Sequence, residues 1–215
     1  MKRNPSAQGP GRRFGRWVEI LAAIVLSLAT VATAWCGYQA TRWSGEQARA
    51  YSEASANRVR ASQRANEAML ITNLHVGLFT DYMAARLGTN PALADALSQR
   101  FPQPLKAAAD AWLALDPLSN PDAPPTPFAM PQYRLTERDE AQAFDQLADD
   151  RFNEANQAND LSDEYVRLTV IFATVLLFGG ISGKFQWWAI DAIMLVLGAV
   201  VFFAALVTLI GVPVR

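Results

Sequence analysis

The sequence has 215 residues, of which 51% are hydrophobic and 18% charged, and its formal net charge is −1. The hydrophobic residues are clustered in long runs, which is typical of a membrane protein, and the length suffices for one or two domains. A single cysteine, Cys36, excludes an internal disulfide, and a single histidine, His75, excludes a metal site built on two histidines of one chain.

Residues 1–16 form a basic segment that contains Gly and Pro, and we predict that it is a disordered tail. It has five basic residues and no acidic one, hence a charge of +5, from Lys2, Arg3, Arg12, Arg13 and Arg16. A basic segment beside an apolar run indicates the cytoplasmic side and attraction to anionic lipid. Five charges without interleaved aromatic residues do not indicate nucleic-acid binding.

Residues 17–35 are predicted to be the first transmembrane helix. At about 1.5 Å per residue the segment spans about 28 Å, close to a bilayer core of about 30 Å. Trp17 and Trp35 stand at its two ends, where interfacial aromatic residues are expected. The alternative is a signal peptide cleaved after Ala34. We favour an uncleaved anchor, because Trp35 follows the cleavage point and the helical pattern continues without a break.

The stretch from Ala34 to Arg86 contains no proline, and we predict one long helix that leaves the membrane and continues into water. Small and apolar residues recur on one side of it at steps of three, four or seven. We call this side the seam; its residues include Trp43, Ala50, Ala54, Ala61 and Ala65. The spacing is closer to eleven residues than to a strict heptad, which predicts a nearly straight pairing with another helix.

A small helical head is predicted after this helix. Two short helices, Pro91–Gln99 and Pro104–Leu115, supply apolar residues to it, as does the end of the long helix, including Leu74. His75 is interpreted as a packed structural histidine. The proline-rich segment 117–135 is either a docking strip for a partner or a strap packed along the helices, and we favour the strap.

A second seam begins at Thr136 and includes Phe144 and Phe152. This helix continues directly into residues 166–182, which are predicted to be the second transmembrane helix. It must therefore return to the membrane, so the two polar helices of residues 36–165 are predicted to form an antiparallel hairpin. The returning stretch 136–164 has ten acids and two arginines, hence −8, and residues 39–68 have five arginines and three glutamates, hence +2.

Residues 187–213 are predicted to be the third transmembrane helix, after a tight turn. The fold class is thus all-α, with three transmembrane helices, an amino terminus on the cytoplasmic side and a helical hairpin and head on the opposite side of the membrane. Glu19 and Asp191 lie near the cytoplasmic ends of their spans. Either they form an ion or proton site, or they anchor helix ends beside Arg16 and Lys184, which we favour at this shallow depth.

Two motifs carry a resemblance to a known family. The pattern AWxxYQAxxWSGEQ begins at Ala34, and PFAMPxY begins at Pro127. With the two carboxyl-terminal membrane helices, they resemble a family of uncharacterised bacterial inner-membrane proteins. The resemblance implies the topology and a bacterial source, and no activity.

No catalytic signature is present in the sequence, so we expect no enzymatic activity, cofactor or metal. The leading hypothesis is a scaffold or interaction subunit whose partners are membrane lipid and either further copies of itself or another membrane protein. The alternative is an oligomeric pore or transport subunit. A periplasmic sensor is the third possibility, weakened because few residues face the cytoplasm.

Overall fold

The structure is a computed structural model that describes residues 10–88, 90–182 and 188–215. Within these ranges it is all-helical and has no strands, which confirms the all-α part of the predicted fold class. Its five α-helices are α1 (Pro10–Leu87), α2 (Pro91–Gln99), α3 (Leu105–Leu113), α4 (Thr136–Ile181) and α5 (Trp188–Gly211), and a short 3₁₀ turn covers Pro127–Ala129.

Three of these helices, α1, α4 and α5, are long and apolar enough to cross a membrane. Helix α1 includes residues 17–35, and α4 and α5 overlap the predicted spans 166–182 and 187–213. Helix α1 begins at Pro10, inside the tail that was predicted to be disordered. Proline is favoured at the first position of a helix, and no further proline occurs before Pro91, so nothing interrupts α1 through Leu87.

The chain divides into two compact units. The first, which we call the span unit, comprises Met1–Tyr51 and Phe152–Arg215; the second, the head unit, comprises Ser52–Arg151. The division falls inside the predicted 36–165 domain, and both α1 and α4 contribute residues to each unit.

The span unit has a core centred on one face of α4. Tyr165, Leu168, Phe172 and Val175 follow at steps of three and four and are at most 1% exposed. They belong to one cluster with small residues of α1 and with residues of α5, among them Ala29, Cys36, Ala40, Phe202 and Ala205. Gly179 of α4 approaches α1 so closely that a Cβ there would overlap the side chain of Leu26.

The head unit has an aromatic core. Phe79 of α1 stacks edge to face on Trp112 of α3, with ring centroids 5.5 Å apart, and Tyr82 meets Phe101 at 5.4 Å. Helix α2 begins at a side-chain cap, since Asn90 Oδ1 accepts a hydrogen bond from the Leu93 amide at 3.1 Å. Helix α3 is shorter than predicted and ends at Leu113.

The proline-rich segment packs as a strap on this core. Phe128 and Met130 lie against it, Tyr133 is buried, and Trp112 Nε1 donates to the carbonyl of Pro124 at 2.6 Å. The strap interpretation is therefore confirmed. Leu74, predicted to join the core, is instead 61% exposed.

Candidate functional site

Most of the predicted seam alanines are buried. Ala50, Ala54 and Ala61 are 0%, 3% and 8% exposed, and on α4 Ala148 is fully buried. Ala65 is exposed, contrary to its expected place on the seam. It lines a groove of about 640 Å³ in the head unit, so no side chain of α4 covers it.

This groove, which we call the α1–α4 groove, is lined by small and polar side chains. Ala61, Ala65 and Ala68 lie along its α1 side together with Met69, and Arg138, Ala141, Gln142 and Asp145 lie on its α4 side. No aromatic residue lines it. Its small side chains would let a ligand approach the helix backbone closely, and its walls carry charges of both signs. They do not form a set of converging catalytic groups.

The two aromatic residues predicted for the second seam lie at the edges of the helix contact. Phe144 is half-buried beneath the guanidinium of Arg60, which is 5.9 Å from its ring centroid. Phe152 is 43% exposed, and its ring centroid is 5.6 Å from that of Tyr51. Neither is part of a closed pocket.

Three ion pairs join α1 to α4 in the head unit. Glu53 pairs with Arg151 at 3.2 Å, Arg58 with Asp149 at 2.8 Å, and Arg64 with Glu140 at 2.9 Å. The side chains are 34–62% exposed, so each pair contributes about 0–1 kcal/mol. Their effect is to select the register of α1 on α4 more than to stabilise it.

In the span unit the two helices are joined by neutral polar contacts instead. Gln47 Nε2 donates to Asn159 Oδ1, and the Tyr51 hydroxyl donates to Asn156 Oδ1, both at 2.8 Å. Ser162, which is buried, donates its hydroxyl to the carbonyl of Ala40 at 3.0 Å. Hydrogen bonds between partly buried groups are directional, so these contacts also fix register.

Trp43 belongs to a polar cluster that holds residues 212–215. Its Nε1 donates to the carbonyl of Pro213 at 3.2 Å, and the hydroxyl of Tyr165 donates to the same oxygen at 3.1 Å. The guanidinium of Arg215 lies 5.3 Å from the Trp43 ring centroid and pairs with Glu46 at 2.6 Å. We call this cluster the latch.

Two further groups complete the latch. The amide of Arg215 donates to Gln39 Oε1 at 3.1 Å, while Gln39 Nε2 is buried and has no hydrogen-bond partner within the described residues. The hydrogen bond from Arg49 and the nearby positive charges of Arg215 and Arg49 hold the pKa of Glu46 below its ordinary value, against a smaller opposing effect of burial. Glu46 is therefore ionised at neutral pH and pairs with a permanent cation.

His75 lies in the head core, as the sequence predicted for a packed histidine. It is 2% exposed, and its Nδ1 is 2.9 Å from the hydroxyl of Tyr133. Burial lowers the pKa of His75, and burial also raises the pKa of Tyr133. Both groups are thus neutral at pH 7, which suits a hydrogen-bonded core pair.

An apolar cavity of about 260 Å³ lies in the span unit among α1, α4 and α5. Leu26, Gly179, Gly198, Ala199 and Phe203 are among the residues that line it. Its walls carry no charged side chain within the described part of the chain, so it can hold an apolar chain but cannot orient a polar substrate.

The four charged residues predicted near the cytoplasmic ends of the spans are only partly described. Glu19 is exposed on α1, and Asp191 is half-buried in the first turn of α5. The side chain of Arg16 and the whole of Lys184 lie outside the described residues, so the anchoring pairs stay a prediction. Among the described residues, no three His, Cys, Asp or Glu side chains are grouped so that they could hold a metal ion.

Sequence reasoning missed the latch and the α1–α4 groove. Trp43 was assigned to the seam, and Gln39 and Glu46 appeared only within the motif that begins at Ala34, although steps of four and three place the three residues on one face of α1. No pattern in the sequence indicated the groove, because its existence depends on which side chains α4 presents to α1.

Comparison with known proteins yields no match: no protein-family model fits the chain, and neither a curated protein nor a solved structure is significantly similar to it.

Proposed function

We propose that this protein is a membrane-anchored, non-enzymatic scaffold or interaction subunit of a bacterial inner membrane, and that it presents an antiparallel helical hairpin in the periplasm. The observation that carries the proposal is the pairing of α1 with α4. Glu53, Arg58 and Arg64 of α1 pair with residues 151, 149 and 140 of α4, respectively. The residue numbers rise along one helix and fall along the other, as they do when two helices are antiparallel.

The hairpin follows from this pairing and from the continuity of both helices. Each of α1 and α4 contains an apolar stretch that can cross a membrane and a polar stretch that contacts the other helix. Two such helices that run in opposite directions would place the polar stretches on one side of the bilayer. The five basic residues of segment 1–16 favour the cytoplasm for the opposite side.

The chemistry of the polar groups supports a non-enzymatic role. His75, the only histidine, is engaged with Tyr133 inside an aromatic core, away from any groove. Three carboxylates at the contact of α1 with α4, Glu53, Asp149 and Glu140, are used in ion pairs that fix the register. An active site would require converging, accessible titratable groups in a concave pocket.

A pore or transport subunit is the second candidate, and Asp191 is the observation that favours it. An ionisable side chain that is half-buried on an otherwise apolar helix is a default candidate for an ion pathway. Its position in the first turn of α5 also suits a helix-end anchor, because a shallow carboxylate reaches water at small cost.

The topology can be tested by cysteine accessibility in intact cells, in a Cys36→Ala background. The Asp95→Cys and Asp145→Cys variants should react with a membrane-impermeant maleimide from outside, and Ser6→Cys should react only after lysis. Labelling of the Asp145→Cys variant only in lysed cells would overturn the hairpin.

The scaffold role can be tested by the mass of the purified, full-length protein in mild detergent. One chain has a mass of 23.6 kDa. Light scattering should give a protein mass larger than one chain, from further copies or from a stoichiometric second protein identified by mass spectrometry. A bare monomer, both in detergent and after crosslinking in intact cells, would contradict the scaffold role.

A further inference from the structure

An apolar stripe lies on the outward side of α1 in the head unit. It consists of Val59, Leu70 and Leu74, which are 55%, 66% and 61% exposed. Steps of eleven and four residues place the three on one side of the helix. Val59 and Leu70 each lie two positions from a buried alanine, Ala61 or Ala68, and hence on the other side of α1 from the core.

The residues that lie between those of the stripe carry no charge. Gln63, Asn66 and Gly77 lie on the same side of α1 as the three apolar residues. Over about five helical turns the middle of this side is thus free of charged side chains, and Glu67, which pairs with Arg64 at 2.7 Å, lies at its edge. Such a surface is typical of a contact face rather than of a solvated one.

The α1–α4 groove occupies the same part of α1. Its lining on this helix runs from Arg58 to Asn73, and the stripe runs from Val59 to Leu74. Unlike the stripe, the groove is concave; its volume is about 640 Å³, and alanines lie at its base. None of the three stripe residues lines the groove, so one helix carries both surfaces, facing different directions.

The distance of a surface from the membrane decides which surfaces of two copies can come into contact. If α1 crosses the membrane, as the proposed function states, all copies stand in the same direction and at the same depth. Only surfaces at the same level along α1 can then come into contact. The stripe and the groove satisfy this condition, because they lie on the same stretch of the same helix.

We propose that the occupant of the α1–α4 groove is the stripe of a second copy of this chain. The apolar side chains of one copy enter the groove of its neighbour and cover Ala65 and Met69, which are otherwise exposed. The groove is lined by two arginines, Arg58 and Arg138, and one carboxylate, Asp145. Its excess charge is thus opposite in sign to that of Glu67, which lies at the edge of the stripe and pairs with Arg64 of its own chain. Charges of this kind select the partner and its register.

The contact joins two different surfaces, so it is heterologous. Repeated around an axis perpendicular to a membrane, heterologous contacts between parallel copies close into a ring. This inference rests on the proposed scaffold function and deepens it, since it names the partner as the same chain and the assembly as cyclic.

Disulfide crosslinking between singly substituted chains tests the contact, again in a Cys36→Ala background. When the Leu70→Cys and Ala65→Cys chains carry different tags and are produced together, oxidation should link them to each other. The Leu118→Cys chain is the matched control, because Leu118 is 67% exposed but lies on the strap segment. It should not link to Ala65→Cys.

A chain that carries both Leu70→Cys and Ala65→Cys should give a ladder of linked species that stops at the ring size. The two positions are five residues apart on one helix, a rise of about 7.5 Å, which prevents a disulfide within the chain. Linking of Leu70→Cys chains only to themselves would show a stripe-to-stripe dimer and overturn the proposal.

A second measurement does not depend on cysteine chemistry. Leu70→Asn should weaken self-association by about tenfold or more, as expected for the loss of one buried leucine, whereas Leu118→Asn should leave it unchanged. Equal effects of the two changes on self-association would refute the stripe as a contact surface. A monomer that holds a different stoichiometric protein would refute this inference and leave the scaffold role standing, while a bare monomer would refute both.

Discussion

Replacement of Ala54 by leucine should destabilise the head unit, because Ala54 has no room for a larger side chain. It is 3% exposed and lies between two residues of α1, Glu53 and Arg58, whose partners on α4 are Arg151 and Asp149. The added carbons must therefore push α1 and α4 apart or adopt a strained rotamer. Overpacking of this kind costs about 1–3 kcal/mol.

The expected change in melting temperature follows from the size of the unit. The head unit comprises residues 52–151. For a domain of about 100 residues, 1 kcal/mol corresponds to about 4–8 °C, so Ala54→Leu should lower the melting temperature by about 4–20 °C. Circular dichroism of the full-length protein in detergent, followed through thermal unfolding, provides the measurement.

Ala56→Leu is the matched control for this change. Ala56 is two residues away on the same helix and is exposed, so the substitution has the same helix propensity and the same added volume but meets no neighbour. It should shift the melting temperature by no more than about 2–4 °C, within the range of surface substitutions. Equal losses for both variants, or no loss for Ala54→Leu, would refute the close pairing of α1 with α4.

Three further predictions concern single side chains. Because burial lowers the pKa of His75, the unfolded chain binds a proton below pH 6.5 that the folded head does not. The free energy of unfolding should therefore be at its full value above pH 6.5 and fall as the pH decreases below it, by up to about 1.4 kcal/mol per pH unit. Thermal melts from pH 7.5 to 5 should show a steeper loss of stability for the unmodified protein than for the His75→Gln variant. Trp43→Phe removes one donor to the Pro213 carbonyl and should cost about 0.5–1.5 kcal/mol in denaturant unfolding, whereas equal stability would show that Tyr165 alone suffices. Vesicles that contain the protein should conduct no cations above background, and Asp191→Asn should leave that unchanged; a selective flux abolished by the substitution would establish the pore.

The helices themselves were predictable from the sequence because their signals are local. No proline lies between Trp17 and Leu87 to end α1 earlier, whereas its start at Pro10 was not predicted, because residues 1–16 were expected to be disordered. Helix α2 has its predicted bounds, and the structure shows that Asn90 caps it and that Pro91 stands in its first turn. The apolar runs within α1, α4 and α5 were predicted by length and composition alone.

The positions of individual side chains were less predictable, because a helical pattern defines a face but not what covers it. Ala61 and Ala65 are one turn apart on the same side of α1 and both line the groove, yet Ala61 is buried and Ala65 is exposed. Leu74 fits the apolar pattern of the head, but the aromatic residues around Phe79 and Trp112 fill the core without it. Each outcome depends on contacts between distant parts of the chain.

The latch gives a physical reason for the spacing of one sequence motif. Gln39, Trp43 and Glu46 lie on one face of α1, and each contacts a different group of segment 212–215: the Arg215 amide, the Pro213 carbonyl and the Arg215 guanidinium. Helix α5 ends at Gly211, so the Pro213 carbonyl lies beyond the helix and accepts a hydrogen bond from the Trp43 N–H. The spacing of four and three residues therefore lets three side chains on one face of α1 bind the same short segment.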